Sequence, residues 1–137
     1  MIKNVFLGEE IVIVAKNKVG LLADIARILI DNGINVEAVL GYESGRAARI
    51  LMITNANIRV IGELRRKRYK LLKETEVVLI DIENKPGALK LITTELKNNK
   101  IDIKYLYVTA CLCGKGSKLV LQTSDNEKTI SLLSRYL

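Results

Sequence analysis

The sequence contains no histidine and no tryptophan, and it has only two cysteines. Without histidine, the commonest general base of enzymes is missing, and no P-loop or Gly-x-Gly-x-x-Gly motif precedes a predicted helix. Two cysteines without histidine cannot supply the four sulfur and nitrogen ligands of a tetrahedral zinc site within one chain. We therefore predict a protein that is not an enzyme and that holds no metal and no cofactor.

Aromatic residues are also scarce, at 4% of the chain with one phenylalanine. RNA-recognition domains stack bases on sheet aromatics, and a run of Phe and Tyr of that kind is missing here. We therefore do not expect specific binding of nucleic acid.

Charge of one sign is concentrated in a short stretch of this chain, whose net charge is +7. Such a run can form an anion or nucleic-acid patch, or it can be a solvated surface at the end of a predicted helix, where cations complement the macrodipole. An unspecific, salt-sensitive nucleic-acid-binding protein that uses residues 65–73 is the alternative function. We call these residues the basic cluster: Arg65, Arg66, Lys67, Arg68, Lys70 and Lys73.

Long hydrophobic runs are absent too, because nothing approaches about 18 uninterrupted apolar residues and no charged-then-apolar leader precedes the first strand. We expect a soluble, cytoplasmic protein without a membrane partner. Cys111 and Cys113 alternate onto one face of a predicted strand. They are either strand cysteines kept reduced in the cytoplasm or residues with a redox or intersubunit role.

What the sequence does contain is an internal repeat. Residues 11–36, IVIVAKNKVGLLADIARILIDNGINV, recur as residues 78–103, VLIDIENKPGALKLITTELKNNKIDI. Each copy has an apolar strand, an Asn-Lys-x-Gly loop, an amphipathic helix and a second strand. The matched pairs include Asn17 with Asn84, Lys18 with Lys85, Gly20 with Gly87 and Leu22 with Leu89.

The repeat predicts an α+β fold of two tandem ferredoxin-like βαββαβ units with antiparallel sheets. We place the first domain at residues 1–74, with 1–8 as a possible extra strand, and the second at 75–137. A capping box at residues 124–127 predicts the last helix, so the second domain lacks a full fourth strand. Because an open strand position is an exposed edge, we expect residues 1–7 or a neighbouring subunit to fill it, and we expect a homo-oligomer, a dimer.

The Asn-Lys-x-Gly loop brings the chain to a helix N-terminus, where free N–H groups and the positive dipole end suit a carboxylate. Gly20 and Gly87 permit close approach, and Pro86 fits a first helical turn. Asn17 and Asn84 offer a donor and an acceptor beside the loop. The arrangement suits a zwitterion, although a plain strand-to-helix turn also uses Gly and Pro.

The motifs N-K-V-G-L-L-A-D-I with G-I-N-V, and N-K-P-G-A-L with K-I-D-I, resemble the ACT domain, a βαββαβ module of amino-acid metabolism. Residues 102–107, with Tyr105 and Tyr107 on one face, further resemble small stand-alone proteins made of two such domains. The resemblance implies a regulatory protein that binds a free amino acid at ACT-type loops or interfaces and modulates a partner enzyme.

In the regulatory domain of phosphoglycerate dehydrogenase, one asparagine before the loop glycine and another opening the second strand hold the effector. In the second repeat, Asp102 takes the place of the asparagine that opens the second strand, and it cannot donate to a carboxylate. Ala15 and Ile82 stand where that family example has a histidine, which argues against serine bound in the same manner. By position, the resemblance implies a ligand site of Asn17, Lys18, Val19, Gly20, Leu21 and Asn35, and a second of Asn84, Lys85, Pro86, Gly87, Ala88, Leu89 and Asp102.

Overall fold

The fold is taken from a computed structural model that describes residues 1–83, 85–110 and 116–137. The predictions for Asn84, Cys111 and Cys113 therefore lie outside the described residues. The elements are β1 (Ile2–Lys16), α1 (Leu21–Asp31), β2 (Val36–Ser44), β3 (Ala47–Thr54), α2 (Asn57–Arg66), β4 (Leu71–Ile82), α3 (Ala88–Asn98), β5 (Ile103–Ala110), β6 (Ser117–Thr123), α4 (Asn126–Leu133) and a 3-10 turn (Ser134–Tyr136).

The chain divides into two compact units. The first unit is Glu9–Thr75, and the second unit combines Met1–Gly8 with Glu76–Leu137. Both β1 and β4 cross this division, so each contributes a segment to each unit. The sequence prediction had attached residues 1–8 to the first domain, whereas their contacts group them with the second unit.

In the first unit the strand order is β2-β3-β1-β4, and β3 is antiparallel to both β1 and β2. Alternate residues of the strands share one core with α1 and α2, as the periods of the two element types require. Helix α1 ends at a left-handed glycine of the kind that commonly follows a helix: Gly33 has a φ of 65°, and the Ile34 N–H donates to the Leu29 carbonyl at 3.0 Å. The fully buried core includes Ile11, Ile13, Ile25, Met52, Val60 and Leu64.

In the second unit the strand order is β1-β4-β6-β5, and β6 is antiparallel to both β4 and β5. The first unit therefore follows the βαββαβ plan predicted from the repeat, and the second follows it as far as α4. Within the described residues 116–137, α4 is followed by the 3-10 turn and not by a strand. The core of this unit includes Val78, Ile80, Ile92, Leu96, Leu119 and Leu121.

The N-terminal part of β1 occupies the fourth-strand position of the second unit. Ile2 and Val5 are only 6% and 7% exposed and belong to this unit's core. The Glu83 N–H donates to the Met1 carbonyl at 2.8 Å. Of the two alternatives for this position, a neighbouring subunit or the chain's own N-terminal segment, the structure shows the second.

Strand β1 runs without a break through residues 8–10, although glycine and glutamate are uncommon in strands. The physical reason lies in packing: a Cβ atom on Gly8 would overlap the side chain of Leu79. A glycine within a strand often marks such a close approach rather than a turn.

The predicted caps of two helices also differ from the structure. Helix α4 begins after Asp125, whose carboxylate accepts the Lys128 N–H at 3.0 Å, while Ser124 instead accepts the Asp102 N–H at 3.0 Å. Helix α2 has Ala56 at its N-cap, although the sequence favours the preceding residue, Asn55, because asparagine is a preferred N-cap residue. Boundaries of this kind depend on contacts between elements, which a local pattern does not contain.

None of the helices in residues 1–83, 85–110 and 116–137 combines the length and the apolar character needed to cross a membrane.

Candidate functional site

The loop between β1 and α1 brings together most of the residues predicted for the first site. Gly20 is the N-cap of α1 and has a φ of 88°, in the left-handed region. A Cβ atom placed on Gly20 would meet nothing within 4 Å. The backbone conformation rather than crowding by the protein therefore requires glycine here, and the open space above it is free for a ligand.

The first turn of α1 leaves backbone donors unpaired. The Leu21 N–H donates to the Lys18 carbonyl at 3.3 Å, and the Asp24 N–H donates to the Gly20 carbonyl at 2.9 Å. Between them, the N–H groups of Leu22 and Ala23 find no acceptor within the described chain, and no side chain caps the helix. These groups and the positive end of the helix dipole can bind an anion.

A carboxylate faces this helix end from β2. Glu43 Oε2 accepts a hydrogen bond from the Asn17 side-chain nitrogen at 2.8 Å, and the Asn17 N–H donates to the Arg46 carbonyl at 2.9 Å. Asn17 thus ties the loop to the β2–β3 hairpin. It also keeps the Glu43 carboxylate at the mouth of the loop.

A cavity of about 290 Å³ lies between the two elements. Its walls are the loop with the first turn of α1 on one side and Gly41, Tyr42 and Glu43 on the other, over apolar contributions from Ala48 and Ile50. Positive and negative groups therefore oppose each other across a small apolar base. This is the charge pattern that a zwitterion requires.

Sequence reasoning does not single out Glu43 as a site residue, because the neighbouring Gly41, Ser44 and Gly45 are typical only of a hairpin turn. The strand register would have revealed it: Ala48 pairs with Ala15 on β1 and with Glu43 on β2. Glu43 is therefore level with the end of β1, where the loop begins.

Asn35 does not join the other residues of the first site. It precedes β2 at the end where Val36 pairs with Thr54, whereas the loop begins where Lys16 pairs with Ala47. The distance along β3 from Ala47 to Thr54 is roughly 23 Å at about 3.3 Å per residue. Within the first unit, Asn35 and Asn17 therefore lie at opposite ends of the sheet.

Val19 and Lys18 both lie at the surface of the loop. The side chain of Val19 is fully exposed, and the Lys18 Nζ atom forms an ion pair with Asp24 at 3.3 Å. Both side chains of this pair are more than half exposed, so the pair contributes little to stability.

Residues 10–73, which contain this loop and cavity, match the sequence model of the ACT domain family. The predicted resemblance is confirmed for this segment.

Solved structures share the fold of the whole described chain. A protein from Bacteroides thetaiotaomicron has a TM-score of 0.86 at 24% identity, with 98% of this chain and 91% of that chain covered. The ligand-free regulatory subunit of aspartate kinase from Thermus thermophilus has a TM-score of 0.68 at 11% identity, with 98% and 97% covered. E. coli aspartokinase III, in complex with aspartate and ADP, has a TM-score of 0.59 at 15% identity, with 97% and 33% covered. At these identities the likeness shows the fold alone, and no curated protein matches the sequence.

The second unit repeats the geometry of the ACT loop with different surroundings. Gly87 is the N-cap of α3 with a φ of 96°, and the Leu91 N–H donates to its carbonyl at 2.9 Å. A Cβ atom on Gly87 would lie 3.4 Å from the methyl carbon of Met1, so the N-terminal residue lies next to this loop. Of the neighbouring predicted residues, Pro86 and Leu89 are exposed and Ala88 is buried.

Charge in the second loop is paired locally. The Lys85 Nζ atom lies 2.7 Å from Glu83 Oε2. The hydrogen bond and charge of Lys85, with the N-terminus and Lys3, hold the pKa of Glu83 below its ordinary value, and the same bond raises the pKa of Lys85. Lys85 is thus engaged by a neighbour.

Asp102 lies far from the second loop. Its N–H donates to Ser124 Oγ at 3.0 Å, and Ile103 pairs with Thr123, whereas Ile82, just before the loop, pairs with Ser117. As in the first repeat, the residue opening the second strand and the residues of the loop are at opposite ends of the sheet.

Proposed function

We propose that this protein senses a free amino acid at the loop cavity of its ACT domain and modulates a partner enzyme of amino-acid metabolism. One observation carries the proposal: unpaired N–H groups of Leu22 and Ala23 and the carboxylate of Glu43 border the same small cavity. The match of residues 10–73 to the ACT family supports an amino-acid-sensing regulatory role.

The ligand's carboxylate would bind at the start of α1, where the N–H groups and the helix dipole favour negative charge. Its ammonium group would be held by Glu43, which Asn17 orients through the 2.8 Å hydrogen bond. The side chain of the ligand would contact Ala48 and Ile50 at the apolar base. A cavity of about 290 Å³ favours a small amino acid.

The fold similarity to a regulatory subunit of aspartate kinase supports the regulatory part of the proposal only at the level of the fold. We propose a separate catalytic partner and a homo-oligomeric assembly. We assign no reaction to this chain itself.

Thermal unfolding in the presence of each of the twenty amino acids tests the proposal, since a ligand that binds the folded state raises the unfolding midpoint. We expect one amino acid to raise the midpoint of the wild type. This rise should be lost in Glu43→Gln, which removes the negative charge and keeps the shape of the side chain. The matched control is Glu37→Gln, an exposed residue on the same strand at the far end of the sheet. No shift with any amino acid at millimolar concentration, or equal losses in both variants, would contradict the proposed site.

A further inference from the structure

A second, larger concavity lies on the other side of the same loop. It is an open cleft of about 760 Å³ in the first unit, at the end of the sheet where β1 ends and β4 begins. Val14, Ala15, Leu71 and Tyr69 provide an apolar floor. The volume lies within the range of roughly 300 to 1,000 Å³ that is usual for small-molecule sites.

Among the described residues that line this cleft, half are cations and none is acidic. They come from four separate parts of the chain: the end of β1, the loop before α1, the β2–β3 hairpin and the connection from α2 to β4. The cations are Lys16, Lys18, Arg46, Lys67, Arg68 and Lys70.

Most of these cations have no counter-ion among residues 1–83, 85–110 and 116–137. Lys18 pairs with Asp24, but the side chains of Lys16, Arg46, Lys67, Arg68 and Lys70 make no ion pair with any residue in the described part of the chain. Like charges that converge in a concave surface with an apolar floor focus a positive potential and attract anions. The basic cluster therefore is not evenly solvated surface, since three of its six members join this cleft.

The turn after α2 positions three of the cations in the lining of the cleft. The Tyr69 N–H donates to the Leu64 carbonyl at 3.0 Å, and Arg68 adopts a φ of 70°, the left-handed conformation that glycine takes after α1. This bond closes the turn, so that Lys67, Arg68 and Lys70 line the same cleft as Arg46 of the hairpin.

We propose that this cleft binds a small organic polyphosphate, a molecule with at least two phosphate groups and an apolar body. Arginine binds phosphate oxygens through paired N–H donors, and lysine supplies compact positive charge, so the six cations suit several phosphate groups at once. The apolar floor and Tyr69 suit the remainder of the ligand. A nucleic-acid strand fits less well, because such sites use a series of aromatic platforms along a charged groove. Among the described residues that line the cleft, Tyr69 is the only aromatic one.

Calorimetric titration with tripolyphosphate, ATP and uncharged adenosine tests the proposal. We expect tripolyphosphate and ATP to bind at low salt and adenosine alone not to bind measurably. Arg46→Glu and Lys70→Glu should each weaken ATP binding by roughly 10-fold or more, because a charge-assisted contact is replaced by repulsion. Arg27→Glu is the matched control, since it makes the same change of charge on an exposed residue of α1 outside the cleft.

Three results would overturn the proposal: no binding of tripolyphosphate or ATP at millimolar concentration in low salt, an equal loss in Arg27→Glu, or tighter binding of single-stranded RNA than of ATP at physiological salt. Arg46→Gln and Lys70→Gln, with unchanged unfolding midpoints, exclude misfolding as the cause of a loss. Glu43→Gln should leave ATP binding intact. Failure of the cleft is thereby distinguished from failure of the amino-acid site.

Discussion

Asn17 and Glu43, which are 26 residues apart in the sequence, are joined by a 2.8 Å hydrogen bond between the β1–α1 loop and β2. Glu43 has the only carboxylate among the described residues that line the loop cavity, and the bond orients it. The bond also leaves the Asn17 side-chain oxygen available as an acceptor for a ligand.

The first prediction concerns this bond. Asn17→Ala should weaken amino-acid binding by roughly 3-fold to 100-fold, because the loss of a hydrogen bond costs about 0.5 to 1.5 kcal/mol, or up to about 3 kcal/mol where it involves a charge. Titration calorimetry of the wild type and the variant measures the change. Asn55→Ala, an exposed asparagine before α2, is the control and should bind as the wild type does. Equal affinities in Asn17→Ala and the wild type would remove Asn17 from the site.

The second prediction separates conformation from crowding at Gly20. Gly20→Ala should destabilise the protein by about 1 to 2 kcal/mol, because the residue is held in the left-handed conformation although its Cβ atom would meet nothing within 4 Å. Gly62→Ala is the matched control: it lies inside α2, its Cβ atom also meets nothing, and it should stabilise by about 0.5 to 1 kcal/mol. Denaturant unfolding measures both. Gly20→Val should in addition block the ligand, since a larger side chain enters the open space above the loop.

The third prediction concerns the N-terminal segment. Val5→Ala should cost about 1 to 3 kcal/mol of unfolding free energy, because Val5 is 7% exposed in the core of the second unit. Val19→Ala, at a fully exposed position, should change the unfolding free energy by less than about 0.5 kcal/mol.

Deletion of residues 2–7 should destabilise the second unit strongly or change the oligomeric state. An unchanged melting curve and unchanged light scattering after the deletion would contradict the assignment of these residues to the second unit's sheet.

The fourth prediction concerns pH. The Tyr136 hydroxyl donates to Glu95 Oε2 at 2.8 Å, and this bond, with a smaller effect of burial, raises the pKa of Tyr136 above its ordinary value of about 10. Because the pKa of Tyr136 is higher in the folded than in the unfolded protein, the bond's full stabilisation is present below the pKa of the unfolded state. It is lost as the pH rises through the pKa of the folded state. Phenolate absorbance is titrated against pH in the wild type and in Tyr136→Phe. The difference between the two curves gives the pKa of Tyr136. Glu95→Gln should lower it, and an unchanged value would contradict the assigned cause.

The order of the elements could be predicted from the sequence because the relevant signals are local. The stripe of Leu21, Ile25 and Leu29 and the glycine that follows α1 predict a helix and its end without reference to the rest of the chain. The repeat then supplied the same order a second time. The glycine-capped helix start at each loop was predictable for the same reason.

The missed features all depend on pairing between distant segments. Nothing near Glu43 in the sequence shows that it is level with Asn17; that follows from the register of three strands. The continuity of β1 through Gly8 likewise depends on Leu79, far along the chain. The cleft that receives Arg46 and Lys70 exists only once the hairpin and the turn after α2 meet.

The division of the second unit between Met1–Gly8 and Glu76–Leu137 has a consequence for how the protein forms. A ribosome releases residues 1–8 first, yet their partners in β4, α3 and α4 emerge only after the whole of Glu9–Thr75 has been made. The second unit must therefore close a loop that contains the entire first unit, which raises its contact order and slows its folding relative to a contiguous domain. A circular permutant that transfers residues 1–8 to follow Leu137 would make the second unit contiguous and should speed its folding.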